Sequence, residues 1–167
     1  MVTSIEVLAQ DAPPHTIETA RALLLEYGRF VTAVEGAERF GWDKLQAEVD
    51  ALPGTYRNQS GEMLLADAGG VPAGCVAWRA LTTIAGACEM KRLWVRADFR
   101  GLKLGEELAL TAIQHAALAG FDAIYLDTFP ASMKPAFDMY LRLGFTPCNP
   151  FNDSRYDGVV FMRLSLR

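Results

Sequence analysis

Arg100-Gly101-Leu102-Lys103-Leu104-Gly105 brings two cations and two glycines into six residues. It stands between Glu89-Met90-Lys91-Arg92-Leu93-Trp94-Val95, a run with the character of a strand, and a helix-forming run over residues 106–119. A turn that opens a helix aims unpaired N–H groups back into the loop, and the helix dipole adds partial positive charge. Phosphate or pyrophosphate suits that position. Gly101 and Gly105 remove the Cβ atoms that would hold an anion off the backbone, while Arg100 and Lys103 add full charges beside it. The pattern predicts a phosphate-bearing cofactor held by main chain. Neither Gly-x-Gly-x-x-Gly nor Gly-Lys-Ser/Thr occurs, so the dinucleotide and P-loop readings fail.

The elements that must position this turn can be read on both sides of it. Residues 4–8 alternate weakly and predict a first strand. After a break at residues 10–14, apolar positions Ile17, Ala20, Leu24, Tyr27 and Val31 predict a helix over 16–34 with Thr16 as its N-cap. A second helix is expected over 42–52, ended by Pro53-Gly54. Residues 62–68 and 71–81 form a hairpin about Gly69-Gly70, a pair that accepts positive φ. The helix over 106–119 then leads through Gly120 to a strand over 123–129, and this strand-helix-strand unit makes the strands before and after it parallel neighbours. A helix over 134–143, with Pro135 at its start and Gly144 at its end, is followed by a loop over 146–158 and a last strand over 159–164.

Composition narrows the class. At 167 residues the chain fits one domain. A net charge of −4 and a pI near 5.2 argue against a non-specific nucleic-acid binder. No apolar run approaches a membrane span and the start has no basic leader, so a cytoplasmic protein is expected. Cys75, Cys88 and Cys148, an odd number without C-x-x-C spacing, read as reduced thiols, and with His15 and His115 as the two histidines no metal site is expected.

The strand pair, the strand Glu-Met-Lys-Arg-Leu-Trp-Val, the turn and the segment Tyr140-Leu141-Arg142-Leu143-Gly144-Phe145 together resemble the GNAT superfamily of acetyl-CoA-dependent N-acetyltransferases. The resemblance covers residues 62–164 well and the N-terminal strand and helices more loosely. It implies an α/β fold with a mixed, mostly antiparallel sheet whose central parallel strands splay apart. The family pattern Arg/Gln-x-x-Gly-x-Gly/Ala aligns with Arg100, Lys103 and Gly105, with lysine at the middle glycine.

The same resemblance implies the chemistry. Acetyl-CoA would pair its pantetheine amides with the main chain of Leu93, Trp94 and Val95 and set its pyrophosphate on Arg100, Gly101, Leu102, Lys103, Leu104 and Gly105. An amine nitrogen then attacks the thioester carbonyl, which requires a proton acceptor for the amine and a donor for the thiolate. Tyr140 aligns with the family tyrosine near the sulfur and is the candidate acid; its other reading is a helix-face core residue. Glu89 is the candidate base, directly or through a water, set against an ion pair with Lys91 or Arg92. Asp127 and Lys134 lie where family members contact coenzyme or substrate; the frequent Asn of that place is Met133 here, and Ser132 either stands in for it or caps the helix over 134–143. Glu26, Tyr27, Phe30, Asn152, Asp153 and Tyr156 could line the acceptor pocket. Family breadth favours a small-molecule amine acceptor. A protein or peptide N-acetyltransferase and an acyl-CoA-binding sensor are the alternatives, and an open sheet edge could be covered by a second copy in a homodimer.

Overall fold

The computed structural model describes residues 1–57, 60–154 and 156–167. Seven strands, β1 (Thr3–Val7), β2 (Gly61–Ala68), β3 (Val71–Ala80), β4 (Ala87–Val95), β5 (Ala123–Thr128), β6 (Thr146–Pro147) and β7 (Val160–Ser165), form one sheet in the order β1-β2-β3-β4-β5-β7-β6. Every neighbouring pair is antiparallel except β4–β5. The mixed, mostly antiparallel sheet with one central parallel pair is the fold class that the resemblance implied.

Helices cover both faces. On one, α3 (Leu104–Leu118) and α4 (Lys134–Arg142) pack on Leu64, Val76, Trp78, Cys88, Met90, Ile124 and Leu126. On the other, α1 (Pro14–Glu35) and α2 (Trp42–Ala51) pack on Met63, Cys75 and Ala77. Val76 and Trp78 against Cys75 and Ala77 show the period-two alternation that lets one strand serve two cores. Burial pushes the Cys75 and Cys88 thiols up to about 12, so neither is a ready thiolate. Among the described residues no helix is long and apolar enough to cross a membrane, and no group of three His, Cys, Asp or Glu side chains is placed to hold a metal ion.

The expected elements are present with ends moved by a residue or two, and three expectations need correction. Thr16 does not cap α1: the helix starts at Pro14, whose fixed φ suits a first helical position, and Pro13 occupies the cap. The stretch after α4 is not all loop, because Thr146 and Pro147 pair with Arg163 and Met162. Two residues ending in proline carry no strand periodicity, and an edge position tolerates the missing N–H; Arg155 of that stretch lies outside the described residues. Ser132 does not cap α4, since Met133 is the cap residue and the Ser132 hydroxyl donates to the Glu35 carboxylate.

Gly74 on β3 marks a close approach of backbones behind the central strand. A Cβ there would lie 2.5 Å from the Trp94 carbonyl oxygen and 3.3 Å from Val95 Cα. Main chain cannot yield as a flexible side chain does, so Gly74→Ala is expected to cost about 2 kcal/mol of stability in urea unfolding; a change below about 0.5 kcal/mol would show that β3 and β4 separate freely.

Candidate active site

β4 pairs with β5 through Ala87↔Ala123, Cys88↔Ile124 and Glu89↔Tyr125 and then leaves it. β5 continues against β7 to Thr128↔Val160, and β4 against β3 to Gly74↔Val95. From Met90 onward β4 therefore has a strand partner on one side only, and a gap opens in the middle of the sheet.

The cause is local to β4. Between Cys75↔Trp94 and Ala77↔Lys91, β3 advances two residues and β4 three. The extra residue falls at Arg92-Leu93, and Arg92 takes φ +60°. Such a bulge bends and twists its strand. Beyond it, Arg96 N–H donates to Ala73 O, so the main-chain groups of Val95 point the other way, into the gap. There Val95 O accepts from Arg100 Nε at 3.1 Å, with the Arg100 guanidinium 5.1 Å from the centre of the Trp94 ring and 5.5 Å from that of Phe30.

The strand runs into a short 3-10 turn, Ala97–Phe99, and then into the glycine-containing turn. Gly101 has φ +85°, and a Cβ built there would meet nothing within 4 Å. Glycine is required here by its backbone angle, and the space above it is open. Lys103 takes the left-handed conformation, φ 61° and ψ 13°, at the start of α3, the backbone shape that glycine adopts most readily. No side chain caps α3, and the N–H groups of residues 101–106 find no acceptor among the described residues. Leu104 is buried and Leu102 exposed, so both would serve a ligand through main chain. Unsatisfied donors, open space and the Arg100 and Lys103 charges together fit a phosphorylated ligand.

Two carboxylates flank the gap on the α1–α2 face. Cys88 and Met90, like Ile124 and Leu126, face α3 and α4, which turns Glu89 and Asp127 to the other side. Glu89 accepts from Arg79 Nε at 2.9 Å and lies 3.8 Å from Lys91 Nζ. The expected ion pair with Lys91 is thus present and strengthened by Arg79, while Arg92 is engaged elsewhere. Asp127 keeps an exposed surface and accepts from Asn152 Nδ2 at 2.7 Å. Crowding by protein still raises its carboxyl above the usual range, the Asn152 hydrogen bond opposing and the Glu89 charge adding to the rise.

Tyr140 sits across the gap, on the α3–α4 face, 7% exposed, with its ring 5.8 Å from that of Phe145. Its hydroxyl makes no hydrogen bond among the described residues and is not sealed from solvent. Burial first, then the proximity of Tyr27 and Asp127, pushes it above the ordinary tyrosine value, so it remains a proton donor at neutral pH. Donor and carboxylates therefore lie on opposite faces of the sheet, joined by the gap.

A buried polar cluster under the bulge was not legible as a site. Glu48 of α2 accepts from Arg92 Nε and Nη2, both at 3.0 Å, and from the Tyr56 hydroxyl at 2.9 Å, with Lys91 Nζ 3.1 Å away. Burial works to raise the Glu48 carboxyl, but the Arg92 hydrogen bonds and the Arg92 and Lys91 charges outweigh it and hold it at about 2. Lys91 moves below the usual lysine range, through burial and then the neighbouring Arg92 charge. The signal in the sequence is an acid beside the inward residues Leu45 and Val49 of α2 and Leu52 just after it.

α1 and the turn after it reach both sides of the gap. Glu26 receives Trp94 Nε1 at 3.0 Å and is forked by Arg96 at 3.0 and 2.8 Å, while Phe30 packs on Trp94. Glu35 meets Ser132, and Arg39 donates to Asp157 O with its guanidinium over the Phe129 and Tyr156 rings. Glu26 and Phe30 thus lie against Trp94 of β4 and Tyr156 against Arg39, whereas Lys134 forms a surface pair with Asp138 and Asp153 is exposed. The open groove of about 680 Å³ beside the His115–Glu62 pair lies at the far end of α3, away from the gap.

The model of the acetyltransferase (GNAT) family matches residues 25–145. An uncharacterized N-acetyltransferase of Schizosaccharomyces pombe is 35% identical over 158 residues, 92% of this chain and 90% of that one. Among solved structures, an acetyltransferase of the GNAT family from Staphylococcus aureus Mu50 superposes with a TM-score of 0.76 at 20% identity, over 99% of this chain and all of the other. PaiA N-acetyltransferase from Thermoplasma acidophilum, in complex with coenzyme A, superposes with a TM-score of 0.70 at 16% identity, over 99% of both chains. These last two share the fold.

Proposed function

The chain belongs to the GNAT family of N-acetyltransferases, and from that premise we propose that it moves the acetyl group of acetyl-CoA, by direct attack, onto a primary amine of a small molecule. The observation that carries this reading is the unpaired β4 edge running straight into a turn with unsatisfied N–H groups. Leu93, Trp94 and Val95 form the edge, with the main-chain groups of Val95 turned into the gap and those of Trp94 toward β3, and Arg100, Gly101, Leu102, Lys103, Leu104 and Gly105 form the pyrophosphate seat. The coenzyme A bound to PaiA supports the same cofactor here. Arg100 gives up Val95 O to the ligand and turns its charge to the phosphates.

Acetyl-CoA supplies an activated carbonyl, and the chain's own groups handle the protons. Tyr140 is the donor for the departing thiolate. Glu89 accepts the amine proton through a water, its place at the last paired position of β4 putting it at the mouth of the gap. A second reading assigns that step to Asp127, because no cation is within ion-pair distance of it among the described residues and its carboxyl is shifted toward proton acceptance, whereas Arg79 and Lys91 hold Glu89. The bridging of the gap by Glu35, Ser132, Arg39 and Asp157 supports a small acceptor over a protein chain.

Both assignments are tested by turnover on a panel of polyamines, amino acids, aminoglycosides and lysine peptides with Glu89→Gln and Asp127→Asn. The variant lacking the acceptor is expected to lose about 10²–10⁴-fold in kcat and the acid limb of its pH profile. Turnover confined to lysine peptides would overturn the small-molecule reading. Acetyl-CoA binding without turnover on any class would favour the sensor.

A further inference from the structure

The cofactor edge of β4 depends on a residue whose conformation its own side chain disfavours. Arg92 is left-handed at φ +60° in the middle of a strand, where glycine or asparagine would be expected. Something outside the strand must hold it there. Its guanidinium is forked onto the Glu48 carboxylate at 3.0 and 3.0 Å and lies 5.6 Å from the centre of the Tyr27 ring and 5.7 Å from that of Phe40. The two side chains are 11% and 7% exposed. Glu48 is fully satisfied, since Tyr56 and Lys91 take up its remaining capacity. A buried ion pair is weak evidence for stability, and its best-attested use is to fix register. Here the register it touches is the one that matters for the ligand, because the bulge follows the last parallel pair, Glu89↔Tyr125, and falls at Arg92-Leu93, where the ligand edge begins.

We propose that the Glu48–Arg92 pair is a latch from α2 that holds the β4 bulge, and that Glu48 is a positioning residue for acetyl-CoA binding. The inference rests on the cofactor reading above. Without the carboxylate, Arg92 loses its anchor and β4 relaxes toward a regular ladder against β3. Loss of the extra residue turns the main-chain groups of 93–95 to the opposite side, by the period of two. The edge then offers the wrong groups to the gap.

The test uses Glu48→Gln, Arg92→Gly and the double variant in the full chain. Glu48→Gln is expected to weaken acetyl-CoA binding in calorimetry about tenfold or more, with kcat at saturation within about threefold of wild type. In the free protein, amide exchange at residues 93–95 is expected to change by about tenfold or more. Glycine adopts φ +60° unaided, so Glu48→Gln/Arg92→Gly is expected to recover acetyl-CoA affinity to within about threefold of wild type. A folded Glu48→Gln with wild-type affinity and exchange, or a double variant as weak as the single, overturns the latch. Should Glu48→Gln fail to fold, the double variant decides by the same measure: native affinity upholds the latch and weak binding removes it. If the wild type itself does not bind acetyl-CoA, the cofactor reading fails, and exchange at 93–95 still decides whether Glu48 sets the strand.

Discussion

Tyr140→Phe is expected to lower kcat by about 10²–10⁴-fold while acetyl-CoA affinity stays within about threefold of wild type. The substitution removes one hydroxyl that makes no hydrogen bond among the described residues and leaves the ring packed against Phe145. The hydroxyl is not sealed from solvent, so its removal leaves no buried partner unsatisfied, and the variant should fold with wild-type stability. The height of the kcat plateau, not the shape of its pH profile, separates this role from packing. Tyr140 titrates above its ordinary value of 10.0, because burial disfavours the phenolate. The wild-type kcat profile should therefore show no alkaline loss from this group below that pH. The variant should keep that profile shape at a lower plateau. A kcat unchanged by the substitution would assign Tyr140 to the core and leave the thiolate's proton to water.

The second large effect is on stability in acid. Glu48 is held at about 2 against an ordinary 4.5. A carboxylate depressed in the folded state contributes stability that is fully present above the unfolded value and lost as pH falls toward the folded one. The window is therefore from about 4.5 down to about 2. A shift of that size corresponds to about 3 kcal/mol. Glu26, lowered by its Arg96 hydrogen bonds against the opposing effect of burial, acts in the same direction. Asp127, raised by burial, acts in the opposite one, its contribution being lost as pH rises. Urea unfolding at pH 7 and at pH 3 should show the loss, and Glu48→Gln should flatten the slope while lowering stability at pH 7 by about 3–5 kcal/mol. An equal acid slope in the wild type and in Glu48→Gln would mean that other carboxylates carry it.

The sequence disclosed the parts of this molecule that local patterns control. The glycines and cations of the turn, the Gly69-Gly70 hairpin and the strand-helix-strand order around α3 were legible because each is written within a few adjacent residues. The gap could be named only through the family resemblance, because β4 carries no mark of where its pairing with β5 stops. The bulge was hidden for a related reason. Arg92 is neither glycine nor asparagine, and its anchor lies 44 residues earlier, on another helix. The ties from Glu35 to Ser132 and from Arg39 to Asp157 span still more chain, 97 and 118 residues, and no periodicity reports them. The sequence marks Asp127 only as a position near the end of a strand, whereas its exposure and its raised carboxyl come from what packs around the gap. What a single sequence did hold was the anomaly of Glu48 on an apolar stripe, which signals a buried partner without saying which.

The most direct measurement is release of free thiol from acetyl-CoA on addition of each small amine, with the acetylated amine quantified in the same reaction. Thiol and N-acetyl product appearing in equal amounts with one class of small amine, and falling together in Tyr140→Phe, is the result expected. Thiol released without N-acetyl product, or no amine-dependent release from a chain that does not bind acetyl-CoA, would contradict the assignment of the β4 edge and its turn to this chemistry.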